Sequence, residues 1–354
     1  MAPITSLFSA LALLITPSLA FLRTAQDRSP LDYQYSSTVG APNVTNVIAF
    51  NTTGIKSYWF ANFLHASDGN DYCIVTTTAN AGPTGQITSI SYTDITNGHI
   101  FGGSWHYDGQ LSNTKLYGST PILTTGARSD DQISELYVTS TQESARFNLT
   151  YVPKGPNLYQ AGVGAYIWGT GYAYAYDYPE TYVTGTLVNF ANETVDIVPE
   201  QSQAWFDMQW GPSYAAGGWH AYVILLNNGV KIQATITNPV SEYNQASLAT
   251  IAYPDGHHEV YPVVGGVHPA DPWVSELSNI TYYSSYRIDV PGKKLSLDVR
   301  SPWKSGETAL LTDPTPANTI ADTFAWFSGY FDGVAVEGFG ISEERVSALG
   351  GLFG

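Results

Sequence analysis

The 354-residue sequence has one cysteine, Cys73, so no intrachain disulfide can brace the fold and a thiolate metal site is excluded. Positive charge is scarce as well. Lys and Arg total 14 against 30 Asp and Glu, and the formal charge of -16 repels phosphate backbones and anionic lipid surfaces, which argues against nucleic acid as a partner. Several catalytic signatures are missing: no G-x-S-x-G, no G-x-x-x-x-G-K-[ST] and no H-E-x-x-H occurs. "GVGAYIWG" at 162–169 has the wrong glycine spacing for a dinucleotide site and sits among strand-forming aromatics. The expectation is a protein without metal or nucleotide cofactor. Beyond the N-terminus, no run approaches the roughly 20 apolar residues of a membrane-spanning helix.

What is present points to sheets. Aromatic residues make up 14%, with 25 Tyr, and 44% of the chain is hydrophobic. That suits strands with one packed and one half-buried face. Gly and Pro, 33 and 20 in number, are spread throughout, which disfavours long helices. Asp68-Gly69, Asp108-Gly109, Asn228-Gly229, Asp255-Gly256 and Asp332-Gly333 supply the positive φ angles of tight turns between extended runs. In "VKIQATIT", Val230, Ile232, Ala234 and Ile236 fall on one face, the period of an antiparallel strand. The best helical candidate is the tail from Ser342 to Leu349. The sequence therefore predicts an all-β protein of two packed antiparallel units: a β-sandwich or open barrel over 21–240 and a smaller barrel over 241–354. The crevice between them and the barrel mouth are the natural places for a small-molecule site.

Residues 7–15, "LFSALALLI", followed by Ser18, Leu19 and Ala20, read as a signal peptide over 1–20 with the mature chain starting near Phe21. Acceptor triplets at Asn43, Asn51, Asn148, Asn192 and Asn279 fit passage through the secretory pathway and secretion as a glycoprotein.

Candidate site residues come from a few stretches. In "AWFDMQWG" (204–211), Trp205, Asp207 and Gln209 share one strand face while Phe206, Met208 and Trp210 share the other. The aromatic set Trp59, Tyr166, Trp168, Trp205, Trp210, Trp219, Tyr222 and Trp326 reads either as sheet core or as the lining of a cavity for a flat, apolar metabolite. Asp207, Gln209, Glu337 and Glu343 are the polar residues of interest, because a carboxyl turned inward is costly unless paired, protonated or used. His257, His258 and Glu259 are adjacent on a strand and point to opposite faces, so they read as surface or turn residues, one histidine facing inward, rather than as metal ligands.

"SYWFANFLHASDG", "TYVTGTLVNFANETVDIVPEQSQAWFDMQWG", "GWHAYVILLNNGVKI" and "GYFDGVAVEGFGISE" resemble, in that order, the lipocalin-like family of hydroxyneurosporene synthase and AttH-type proteins. Its fungal members include kievitone hydratase, decalin-forming Diels–Alderases and the hetero-Diels–Alderases of tropolonic sesquiterpene pathways. The similarity spans roughly residues 57–343. It implies a ligand cavity at or between two lipocalin-like units, with Asp207, Gln209, Trp210 and Gly211 on the family's D-x-x-W-G core and Glu343 as the acid closing the last strand. Met208 departs from the basic or imidazole residue expected in many relatives, which weakens a hydratase assignment. The resemblance implies a cofactor-independent hetero-Diels–Alder cycloaddition joining a tropolone quinone methide to a humulene-type alkene. The alternatives are hydration of a prenyl double bond and carriage of an apolar metabolite without catalysis.

Overall fold

The computed structural model describes residues 54–346 other than 169–170, 213, 216, 238–246, 265–268 and 305. The expected signal peptide, Asn43, Asn51 and the division near residue 240 lie outside the described residues.

Two antiparallel sheets account for the described chain, one of them curved into a half-barrel, as an all-β lipocalin-like fold requires. The first sheet runs, in spatial order, Ile100–Asp108, Gly85–Asp94, Asp71–Ala81, Ile55–His65, Gln203–Gly211, Gly171–Val188, Phe147–Pro153, Leu136–Ser140, Leu123–Ala127 and Tyr117–Ser119; three short strands also pair with Gly171–Val188. The second runs His258–Pro262, Ser247–Ala252, Lys231–Thr237, Trp219–Leu226, Val334–Arg345, Thr319–Phe331, Leu295–Arg300, Thr281–Val290 and Ala270–Val274, with Glu307–Ala309 attached to Thr319–Phe331.

Sheet membership changes between Gly211 and Trp219. The hairpin of Trp219–Leu226 and Lys231–Thr237, read from sequence as the end of the first unit, pairs inside the second sheet. Its apolar face decides this: Tyr222, Ile224, Ile232 and Ala234 complete that sheet's own core with Ile288, Leu297 and Phe327.

Turn chemistry behaves as expected at the tightest hairpin, where Asp332 and Gly333 both have positive φ and Phe331 pairs directly with Val334. Asp108-Gly109 differs, because it ends the outermost strand of the first sheet instead of joining two neighbours. The expected helical tail is a correction. Ser342 to Arg345 continue the last strand, since alternation lets Glu344 and Arg345 pack on opposite faces and both stay buried; 347–349 lie outside the described residues.

The central strands of the first sheet are buried on both faces. Tyr58, Phe60, Phe206 and Met208 face that sheet's own core. Trp59, Ala61, Phe63 and Trp205 face the second sheet, where they meet Val223, Leu225, Phe324, Phe339 and Ile341. Each such large apolar side chain contributes about 1.5–3 kcal/mol. Trp303 Nε1 also donates to the Ile95 carbonyl (3.0 Å), and Ser104 bridges to Leu310. Between the sheets the apolar packing opens into a cavity of about 130 Å³.

Candidate active site

The cavity is built on two register rows. On the first sheet Trp59, Asp207 and Asp177 stand directly opposite one another on three neighbouring strands. On the second, Ala221, Glu343 and Asp322 do the same. Opposed residues of an antiparallel pair have Cβ atoms only about 4.5–5.5 Å apart, so each row sets two carboxyl groups side by side. Asp207 and Glu343 line the cavity, whereas Asp177 and Asp322 are fully buried behind them. The rows touch where Trp59 Nε1 donates to Asp322 Oδ1 at 3.2 Å.

Each carboxyl has an identifiable environment. Burial, and then the charge of Asp207 beside it, push Asp177 well above the usual carboxylate range; Gln160 and Trp205 offset this only in part. Asp207 is pushed up to about 6, mainly by burial with help from Glu343, against hydrogen bonds from Asp177 and Gln160. Asp322 is also raised well above the usual range by burial and by Glu343. Glu343 is raised by burial, but Asp322, the Trp219 indole and the Arg345 cation oppose that rise. Burial thus favours the protonated form of the inner acid of each pair, the form that can donate a hydrogen bond to the outer one.

Gln160 enters from a bent segment. Ala161 sits in the left-handed region (φ 56°), rarely occupied by residues other than glycine, and Gly162 follows with φ 78°. The bend sends Gln160 Nε2 to Asp207 Oδ2 (2.7 Å) and to Asp177 Oδ1 (3.3 Å). Two side chains of the second sheet grip the same segment: Tyr159 N donates to His258 Nε2 (3.1 Å) and Ala161 N to Thr250 Oγ1 (2.8 Å).

Aromatic groups surround the acids. Trp168 lies against Trp219, Tyr214 stacks on Trp219, and Arg345 lies 5.4 Å over the Trp219 ring. Gln209 donates to the Tyr166 hydroxyl at 2.9 Å, and burial with Asp207 nearby keeps that phenol protonated, free to donate in turn. Past Trp59 the first-sheet row continues through Thr77, Ser89 and Ser104, a neutral hydroxyl-bearing wall.

Of the residues read from sequence, Asp207, Gln209, Glu343, Trp59, Tyr166, Trp168 and Trp219 line this cavity. The two faces of "AWFDMQWG" separate as alternation requires, with Phe206, Met208 and Trp210 in the first core. The other four aromatics sit elsewhere. Trp210 packs against Tyr174 and Tyr176 on the opposite sheet face, Tyr222 lies in the second core, and Trp205 and Trp326 belong to the packed inter-sheet cluster. Glu337 is exposed at a hairpin end. His257 is exposed and stacked on Tyr253, and His258 is turned inward as the acceptor for Tyr159. Asn148, Asn192 and Asn279 are exposed.

Sequence reasoning missed Asp177, Asp322 and Gln160. A signal for Asp322 existed: it is the one charge in "TIADTFAWF" and shares its face with Phe324 and Trp326. For Gln160 there was none, because its reach depends on a backbone bend.

No family model matches the chain. It is 22% identical over 329 residues to dehydratase asqC of Emericella nidulans, covering 86% of this chain and 89% of that protein. It is 20% identical over 300 residues to kievitone hydratase of Fusarium solani subsp. phaseoli, covering 81% of each. The crystal structure of kievitone hydratase from Nectria haematococca superposes with a TM-score of 0.83 at 18% identity, over 93% of this chain and 99% of that one. In fold the chain is similar to the lipocalin-like AttH and kievitone hydratase proteins, and in sequence it is similar to dehydratase asqC and kievitone hydratase.

Proposed function

We propose that this protein is a tailoring enzyme of fungal secondary metabolism that adds water to, or removes it from, a carbon–carbon bond of a small oxygenated metabolite by paired-carboxyl acid–base catalysis. The observation that carries the reading is the placement of Asp207 and Glu343 on opposite walls of one cavity, each backed by a buried carboxyl. In hydration, protonated Asp207 gives its proton to one alkene carbon. Glu343, whose ionised form the Trp219 indole and the Arg345 cation favour, takes a proton from the water whose oxygen bonds to the other carbon. Solvent exchange then returns both acids to their starting states, and dehydration runs the same steps in reverse. Tyr166 and Gln209, joined by a hydrogen bond at the cavity wall, would hold a substrate oxygen.

The two relatives, a dehydratase and a hydratase, support this choice over cycloaddition. A cycloaddition needs alignment of two apolar partners and no acid pair, and about 130 Å³ is small against the roughly 300–1,000 Å³ of pockets for larger ligands. A carrier has no use for four inward carboxyl groups, whose burial costs stability.

The test is incubation with 4-prenylphenol in ¹⁸O-labelled water. Labelled alcohol is expected from the unmodified protein, with loss of about 10²-fold or more in Asp207→Asn and Glu343→Gln while ligand binding persists. Unchanged turnover in both variants would sink the acid–base reading; tight binding without product would favour the carrier.

A further inference from the structure

Three features have no part in the chemistry above: the inward His258, the bend at Gln160–Gly164, and the bonds that tie this bend to the other sheet. They form one device. Gly256 offers His258 only a carbonyl, 3.0 Å from Nδ1, so Nδ1 carries the proton and Nε2 is left as an acceptor. Nε2 receives the Tyr159 N–H, and burial keeps the ring neutral, as that role requires. Two residues further on, Thr250 Oγ1 receives the Ala161 N–H. Between these two anchored amides stands Gln160, the residue whose side chain crosses back to the first sheet.

We propose that His258 and Thr250 are positioning residues: from the second sheet they fix the backbone on either side of Gln160, and Gln160 in turn fixes the Asp207 carboxyl. The inference rests on Asp207 being the acid of the proposed reaction, and it adds a dependence that neither sheet has alone. The acid of one sheet is held in orientation and ionisation by side chains of the other. Undocking the sheets, or loosening this clasp, removes a donor from Asp207 without touching the strand that bears it.

The clasp also explains the local sequence. Gly162 carries a positive φ, and a Cβ there would meet Val260 Cγ2 at 2.9 Å, so the bend and its close approach to the second sheet both require glycine.

The experiment reads Asp207 directly, in the full chain. Its carboxyl is followed by ¹³C NMR titration, assigned with Asp207→Asn, while hydrogen exchange is measured at the Tyr159 and Ala161 amides. The groups facing Asp207 are Asp177, Tyr166, Tyr214 and Glu343, and His257 is the titratable neighbour of His258; none of these is altered. His258→Phe is expected to speed exchange at Tyr159 and to move the Asp207 midpoint upward by about one unit, the worth of a hydrogen bond to a carboxylate. His258→Gln, which keeps an acceptor, should restore both. Gln160→Leu should give the same shift, and adding His258→Phe to it should give no more. Thr250→Val provides a second route if His258→Phe fails to fold. Faster exchange with an unmoved midpoint, or additive shifts in the double variant, would overturn the proposal. The titration does not depend on turnover: an unimpaired Asp207→Asn alongside the expected shift would defeat the proposed reaction and leave the clasp standing.

Discussion

The two sheets present their acids in the same way and surround them differently. In each, two carboxyl groups occupy opposed register positions on neighbouring strands, one at the cavity and one behind it. The first-sheet pair is held by an amide, Gln160, and no cation among the described residues opposes its rise. The second-sheet pair is held by two indoles, Trp59 on Asp322 and Trp219 on Glu343, with the Arg345 cation nearby. One backbone arrangement thus produces an acid pushed up to about 6 and another whose rise an indole and a cation oppose. The register creates the pair; the partners beyond it assign donor and acceptor.

The most direct way to break this asymmetry is to compare Asp207→Asn with Glu343→Gln across pH. Each should cost about 10²-fold or more in kcat. In the unmodified protein, kcat should fall as pH rises through about 6, where Asp207 loses its proton, and fall at lower pH as Glu343 gains one. A profile flat from pH 5 to 8 would remove the acid–base assignment.

Trp210→Ala is the counterpart on the other face of the same strand. Trp210 lies in the first core against Tyr174 and Tyr176, so its loss should cost about 3–5 kcal/mol in a denaturant titration through packing. Ligand affinity of the folded fraction should be little altered.

Trp59→Phe sharpens the contrast from the indole side. It removes the donor to Asp322, and a lost bond to a buried carboxyl is worth about 1–3 kcal/mol. Thermal denaturation should show the destabilisation, and the low-pH limb of kcat should shift as the second pair loses its support.

The smallest expected effect is on stability in Asp177→Asn. A folded carboxyl raised above its unfolded value of about 3.9 binds its proton more tightly in the folded state. Its contribution is fully present below about pH 4 and is lost as pH rises towards the folded value. The variant, which cannot ionise, should match the parent at pH 4 and exceed it in melting temperature at pH 7. Equal melting temperatures at both pH values would show that the pair carries no shared proton.

Strand alternation, tight-turn glycines and the split faces of "AWFDMQWG" were legible in the sequence because a strand's side-chain period is local and fixed at two. Asp207 could be assigned to a strand face on that basis, whereas the place of Glu343 came from the family resemblance and Trp59, Tyr166, Trp168 and Trp219 from the aromatic set, which read equally as core; all six line the cavity. The tail was misread as helix because its short amphipathic run fits either period until a partner strand selects one, and here Trp219–Leu226 and Thr319–Phe331 do so.

The sequence by itself determined an all-β chain with no intrachain disulfide and a short set of acids on strand faces. Only the tertiary structure decided which acids are neighbours. Asp177 and Asp207 are 30 positions apart, Asp322 and Glu343 are 21, and Gln160 reaches its pair through a bend pinned by Thr250 and His258. Ionisation follows distance and burial in space, and neither is encoded by spacing along the chain.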